Sequence, residues 1–298
     1  MKKADAMTGK TLFCFGYGYT AKALARRLAP QGWTIAGTTR SPEKAEAMTA
    51  AGVRAHVWDG AAIDASRLDG ATAVLISTAP NAGGCPAHAA AREALAARRE
   101  RVSWIGYLST NGVYGDHGGA WVDEDSNLFP TTERARRRIR AEADWAGFGA
   151  EHVMPVTIFR LPGIYGPDRS AIDTVRAGTA RRIYKEGQVF SRCHVDDIAA
   201  ALAASIAAPQ VHDLYNIADD EPAPPQDVIE YACTLLSVTP PPLIPLEDAN
   251  LSEMGKSFYA DNKRVSNKRM KEALGVALAY PTYREGLEAI LAGEDEPT

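Results

Sequence analysis

The first residues with chemical promise lie in FGYGYTAKAL, where Gly16, Gly18 and Ala21 follow a G-x-G-x-x-(G/A) spacing. In such a turn the first glycine permits a tight bend and the second lets the main chain approach a pyrophosphate. The small third residue lets helix and strand pack closely. A helix opening at Tyr19 and Thr20 would present its positive end to the phosphates. The bare spacing carries little; a strand before it and a helix after it give it meaning. Without a ligand, the same pattern is a glycine-rich packing turn.

The next candidate group is Gly37–Ser41, GTTRS, which offers no Asp or Glu for a ribose diol. Arg40 can fork onto a 2'-phosphate, with hydroxyls from Thr39 and Ser41 beside it, so NADP is expected over NAD. A surface arginine at a strand end is the plain alternative. Asp59, in WDG, can reach an adenine amino group, and Thr78, Ala79 and Pro80 close a later apolar run.

A third group is PTTERARRRIRAE, with five arginines between Arg134 and Arg140. Arg134, Arg138 and Glu142 share a face at i,i+4 spacing, and Glu133 can pair with Arg137. Arg136, Arg137 and Arg140 read as a solvated or salt-bridged face. A formal net charge of -4 and the lack of interleaved aromatics argue against nucleic acid as the partner. The six histidines show no HExxH pattern, so no metal site is expected.

These groups need elements to hold them. Leu12–Phe15 is an apolar run, followed by a helical pattern in AKALARRLAPQGW and a strand in TIAGTTR. Ser41 and Pro42 start a second helix, VRAHVWD and ATAVLISTAP read as strands, and HAAAREALAARRE as a helix. VSWIGYLST is a strand, Thr132 to Trp145 a helix, and HVMPVTIFRLPGIYG a sixth strand with its loop. Alternating strands and helices with continuous apolar runs predict an α/β fold, a Rossmann-type doubly wound parallel sheet.

After Gly166 the pattern changes to VDDIAAALAASIAA as a helix, HDLYNIA as a strand and QDVIEYACTLL as a helix. The expected division is a dinucleotide-binding core over 1–165, rejoined by about 194–218, and a smaller C-terminal substrate lobe mainly over 166–298. GEDEPT reads as a frayed tail.

With 46% hydrophobic and 23% charged residues, the 298-residue chain reads as an ordinary soluble protein. Four scattered cysteines form no CxxC and read as free thiols in a reducing compartment. No apolar run approaches a membrane span, and TLFCFG after MKKADAMTGK reads as a strand rather than a signal core. A cytoplasmic protein is expected.

The order of these motifs resembles the extended short-chain dehydrogenase/reductases, the NAD(P)-dependent epimerase/dehydratase family. The resemblance runs through the glycine turn, Asp59, STAP, LSTNGVYG with WVDED, FRLPGIYGP, HVDDIA and the late KRVSNKRMKEALG and YPTYREGL. It implies a nicotinamide cofactor, a small-molecule substrate and a Ser/Thr, Tyr and Lys constellation. Matching VYG puts the Ser/Thr role on Thr110. The Tyr and Lys positions fall on Arg134 and Arg138, so that pair is absent. With GYGYTA at the turn, the departures resemble the atypical, YeeZ-like branch of the family.

Arginine is a poor general acid or base. The resemblance therefore leaves Arg134 and Arg138 to bind or orient and gives proton transfer to Tyr114, with His117 as an alternative and packing as the plain role of Tyr114. It further implies that Pro162 and Gly163 run beside the nicotinamide, and that Arg192 and His194 contact substrate. A homodimer through helices flanking the sheet is the family-level expectation. Two functions stay open: an NADP-dependent oxidoreductase, epimerase or dehydratase acting on a small polar or sugar-like metabolite, or an NADP-binding regulator without turnover.

Overall fold

In chain order the elements are β1 (Thr11–Phe15), α1 (Tyr19–Leu28), β2 (Thr34–Thr39), α2 (Pro42–Ala50), β3 (Arg54–Val57), β4 (Ala73–Ile76), α3 (Pro86–Ala96) and β5 (Trp104–Thr110). There follow β6 (Trp121–Val122), α4 (Glu133–His152), β7 (Val156–Leu161), β8 (Gly163–Tyr165), α5 (Ala171–Arg176), β9 (Arg182–Tyr184), β10 (Arg192–His194) and α6 (Val195–Ala207). The chain then runs through β11 (Leu214–Asn216), α7 (Pro225–Leu235), β12 (Leu243–Pro245), α8 (Glu253–Ala260), β13 (Arg264–Val265), α9 (Lys268–Leu274) and α10 (Tyr283–Glu294). This computed structural model describes residues 9–209 and 212–294; the basic stretch 1–8 and the last tail residues 295–298 lie outside the described residues.

The fold is the expected Rossmann-type α/β architecture. A seven-stranded sheet has the order β11-β7-β5-β4-β1-β2-β3. The pairs β1–β2, β1–β4, β2–β3 and β4–β5 are parallel, with Phe13 opposite both Ala36 and Val74. The chain thus steps from β1 to one side through β2 and β3, then returns to β4 on the other side. That reversal creates a crevice at the carboxyl ends of the strands. Leu12 to Phe15 and Val74 to Ile76 are buried, as strands covered on both faces require.

Local chemistry sets the helix starts. Ser41 accepts from the Lys44 amide at 3.2 Å, with Pro42 in the first turn of α2. α4 runs on to His152 rather than ending near Trp145. Tertiary packing extends it: buried Trp145 and Phe148 meet ring to ring at 5.7 Å, and His88 of α3 sits 5.0 Å from Trp145.

The chain divides into two compact units. The first comprises 1–109, 137–159 and 202–213; the second comprises 110–136, 160–201 and 214–298. In the second, β8–β10, β9–β12 and β6–β13 form parallel two-stranded pairs. Tyr165, Ile172, Val228, Tyr283, Leu287 and Ile290 belong to a buried core cluster there. All four cysteines are buried free thiols. Among the described residues, no helix is long and apolar enough to cross a membrane.

Candidate functional site

The first unit holds a cavity of about 630 Å³ at the glycine turn. Gly16 has φ +88°, and its amide donates to Thr38 Oγ1 at 2.8 Å. A side chain at that φ is strained, so the turn favours glycine here. Gly18 precedes α1 without a side-chain cap, and a Cβ built on it would meet nothing within 4 Å. The main chain at Gly18 is therefore open to an anion beside a positive helix end. Tyr19 and Thr20 form the first turn of α1 but do not line the cavity; Tyr17 does.

Thr39, Arg40 and Ser41 line the same cavity, joined by Lys44 one turn into α2. The Ser41 hydroxyl donates to the Glu43 carboxylate, and the Ser41 amide donates to Thr39 Oγ1 at 3.3 Å. The side chains of Arg40 and Lys44 make no hydrogen bond or ion pair among the described residues. Asp59 lines the cavity too, its Oδ1 accepting from the Ala61 amide at 3.0 Å. Thr78 and Ala79 line it; Pro80 does not. Thr78 Oγ1 is buried without a hydrogen-bond partner, an atom that a bound polar group would satisfy.

Also in the first unit, Arg138 Nη1 donates to the Leu108 oxygen at 2.6 Å and to Tyr107 Oη at 3.2 Å. Burial pushes the Tyr107 phenol up to about 12, against the opposing effect of Arg138. One turn along α4, the buried Glu142 carboxylate accepts from the Ser109 hydroxyl.

The second unit holds another cavity, of about 520 Å³, a volume usual for small-molecule sites. Thr110, Arg134, Pro162, Gly163 and Arg192 line it. Thr110 Oγ1 accepts from the Gly112 amide at 3.2 Å. The Arg134 guanidinium lies over the Phe258 ring, 5.0 Å from its centroid. Arg192 Nη1 donates to the oxygens of Phe190 at 2.8 Å and Ala223 at 3.1 Å.

Tyr114, His117 and His194 do not line this cavity. Tyr114 is fully buried; its hydroxyl donates to Asn216 Oδ1 at 2.7 Å and Arg160 lies 4.9 Å over its ring. Burial raises its pKa, which makes the phenol harder to ionise. His117 packs 5.2 Å from the Phe129 ring, with Nε2 buried and unpartnered. His194 is buried; its Nδ1 accepts from the Asp196 amide at 3.2 Å, and its ring packs 4.0 Å from Tyr280.

Sequence reading passed over a third group on this cavity: Tyr259, Asp261 and Lys263. Lys263 Nζ donates to the Gly115 oxygen at 2.8 Å and lies 3.6 Å from Asp261 Oδ2. Asp261 Oδ1 accepts from the Thr131 hydroxyl at 2.9 Å. The alternating polar residues of Tyr-x-Asp-x-Lys just before β13 are the one signal that could have marked them. Among the described residues, no cluster of His, Cys, Asp or Glu could hold a metal ion.

A crossover sheet, a glycine turn and a second cavity-bearing unit define a class, the epimerase-like Rossmann proteins. The chain belongs to the NAD dependent epimerase/dehydratase family, whose sequence pattern matches residues 16–218. It is related to Protein YeeZ of Escherichia coli K12, 26% identical over 287 residues, covering 91% of this chain and 97% of that one. A conserved protein of unknown function from Silicibacter pomeroyi DSS has a similar structure, with TM-score 0.88 and 51% identity over 97% of this chain and all of that one. The UDP-glucuronic acid 4-epimerase of Bacillus cereus, solved with NAD, shares the fold at TM-score 0.75 and 15% identity, over 96% and 100% of the two chains.

Proposed function

We propose that the protein is an NADP-dependent oxidoreductase of the epimerase/dehydratase type acting on a small polar, sugar-like metabolite. One observation carries this reading: Arg40 and Lys44, both without ionic partners, line the same cavity as Gly16 and Gly18. Two free cations and the Thr39 and Ser41 hydroxyls suit a 2'-phosphate better than a bare ribose diol. NAD would leave both cations without an anion.

The residues divide the work accordingly. Gly18 and the first turn of α1, Tyr19 and Thr20, hold the pyrophosphate, Asp59 meets the adenine amino group, and Thr78 Oγ1 gains its missing partner. Ala79 and Pro80 shape that edge, and Pro162 and Gly163 shape the main chain on the wall of the second cavity. When bound, the cofactor supplies hydride chemistry. Thr110, Arg134 and Arg192 orient the substrate oxygens, and buried His194, packed on Tyr280, fixes the end of β10. Arg138 acts as a positioning residue through Leu108. Tyr114, engaged with Asn216, serves packing better than proton transfer.

In this reading residues 1–165, rejoined by about 194–218, mainly carry the cofactor, with Thr110 and Arg134 serving the substrate cavity, and 166–298 mainly the substrate. The buried free thiols fit a reducing cytoplasm, and a homodimer through sheet-flanking helices is the assembly proposed. The test follows NADPH absorbance across a panel of aldehydes, ketones and sugar nucleotides. Turnover with at least one compound, lost in Thr110→Val, is the expected result. A second reading, an NADP-binding regulator, is favoured by arginines standing at the Tyr and Lys positions. Tight NADPH binding with no turnover across the panel would select it.

A further inference from the structure

The cavity of the second unit carries more polar chemistry than substrate orientation alone requires. Four cations line it, Arg134, Arg169, Arg192 and Lys263, against the single carboxylate of Asp261. Such a wall attracts an anion. Arg192 is committed to two main-chain oxygens. Arg134 differs: it lies over Phe258 and donates no hydrogen bond among the described residues. A guanidinium resting on a ring keeps its edge N–H groups in a planar fork, the geometry that receives a carboxylate or phosphate.

Lys263 is the second unusual group. It is only 8% exposed, yet it lies on the cavity wall. Its ammonium has three donors. One reaches Gly115, and the Asp261 contact at 3.6 Å is longer than a hydrogen bond. Burial lowers its pKa, while Asp261 and Asp116 oppose that shift. A lysine buried this deeply is costly to keep charged unless its remaining donors are met. A polar ligand atom in the cavity would complete its shell.

We propose that this cavity binds small carbonyl compounds bearing a phosphate or carboxylate, with Arg134 holding the oxyanion and Lys263 meeting the carbonyl oxygen. This deepens the function proposed above and rests on it only for calling the compound a substrate. In that role the Lys263 ammonium passes a proton to the alkoxide oxygen formed on reduction. It is left as the neutral amine, which takes a proton back from water. Buried lysines release protons more readily than exposed ones. The residue would supply the proton transfer that neither Arg134 nor the buried Tyr114 offers.

The probe is pyridoxal 5'-phosphate, a small aldehyde with a phosphate, followed by borohydride at neutral pH on the full chain. Its aldehyde condenses with a neutral amine with loss of water, and borohydride fixes the imine for peptide mapping. Lys263 is expected to be labelled ahead of the exposed Lys256 and Lys268. Pyridoxal, which lacks the phosphate, is expected to label it about tenfold more slowly, as loss of a charge-assisted contact implies. Arg134→Gln should erase most of that difference; if it does not fold, Arg134→Lys, without the fork, should narrow it. Protection by inorganic phosphate or by malonate tells which oxyanion is preferred, and protection by neither overturns the proposal. Equal labelling by the two aldehydes, or Lys263 no faster than Lys256, overturns it as well. NADPH titration of the same sample separates the two claims: binding without labelling removes only this one, and labelling without binding only the cofactor reading.

Discussion

Arg138 Nη1 donates to the Leu108 main-chain oxygen at 2.6 Å, tying α4 to the end of β5. The residue standing where relatives are expected to carry a catalytic lysine is thus held by the scaffold. Arg138→Met would leave the Leu108 oxygen and Tyr107 hydroxyl without this donor, at a cost of roughly 1.5–3 kcal/mol. Arg136→Met, which loses an exposed pair with Glu133, should cost under about 1 kcal/mol. Urea unfolding of the two variants checks the contrast; equal losses would refute it.

Tyr114 is fully buried, with its hydroxyl committed to Asn216. Tyr114→Phe removes the donor to Asn216 Oδ1 and should cost about 1–2 kcal/mol of stability. Labelling of Lys263 by pyridoxal phosphate should not change. A folded Tyr114→Phe protein that binds substrate normally but loses turnover would return the proton-transfer role to this phenol.

Gly115 has φ +71°, and a Cβ there would lie 1.7 Å from the Phe129 oxygen. Both strain and overlap act on main chain, so Gly115→Ala should cost at least about 3 kcal/mol. Because the Gly115 oxygen holds Lys263, any folded fraction should also label more slowly there. A thermal unfolding scan and peptide mapping on one sample give both readings.

Asp219 gives stability a pH slope. Both its carboxylate oxygens are buried without hydrogen-bond partners, and burial pushes its pKa up to about 8 despite Arg192. An unfolded aspartate titrates near pH ~4. Between those values the folded protein retains a proton that the unfolded chain has lost. Stability should therefore fall as pH rises from about 4 to about 8, by at most ~1.4 kcal/mol per unit from this group. Asp219→Asn should flatten that slope. Urea midpoints across the interval check it, and an unchanged slope would show that Asp219 is ionised in the fold.

The centre of the sheet was legible because β1, β4 and β7 are short, mostly apolar runs, and burial on both faces leaves such runs little alternative; β3, at the edge, is neither apolar throughout nor buried. The glycine turn and the Thr39–Arg40–Ser41 tip were legible because each is one local segment. Lys44 was not: its place on the cavity depends on the path of α2 after Ser41. Tyr259, Asp261 and Lys263 reach the wall shared with Thr110 and Arg134 over more than a hundred residues of chain, which no local pattern reports. Tyr114 could not be sorted from sequence either. A tyrosine has both an apolar ring and a reactive hydroxyl, and only packing shows which is used.

The most direct test of the cofactor assignment is a titration of the protein with NADPH and NADH, repeated on Arg40→Ala. NADPH is expected to bind at least about tenfold more tightly than NADH, and Arg40→Ala to remove most of that preference without changing NADH affinity. Equal affinity for the two cofactors, or NADPH binding indifferent to Arg40, would contradict it.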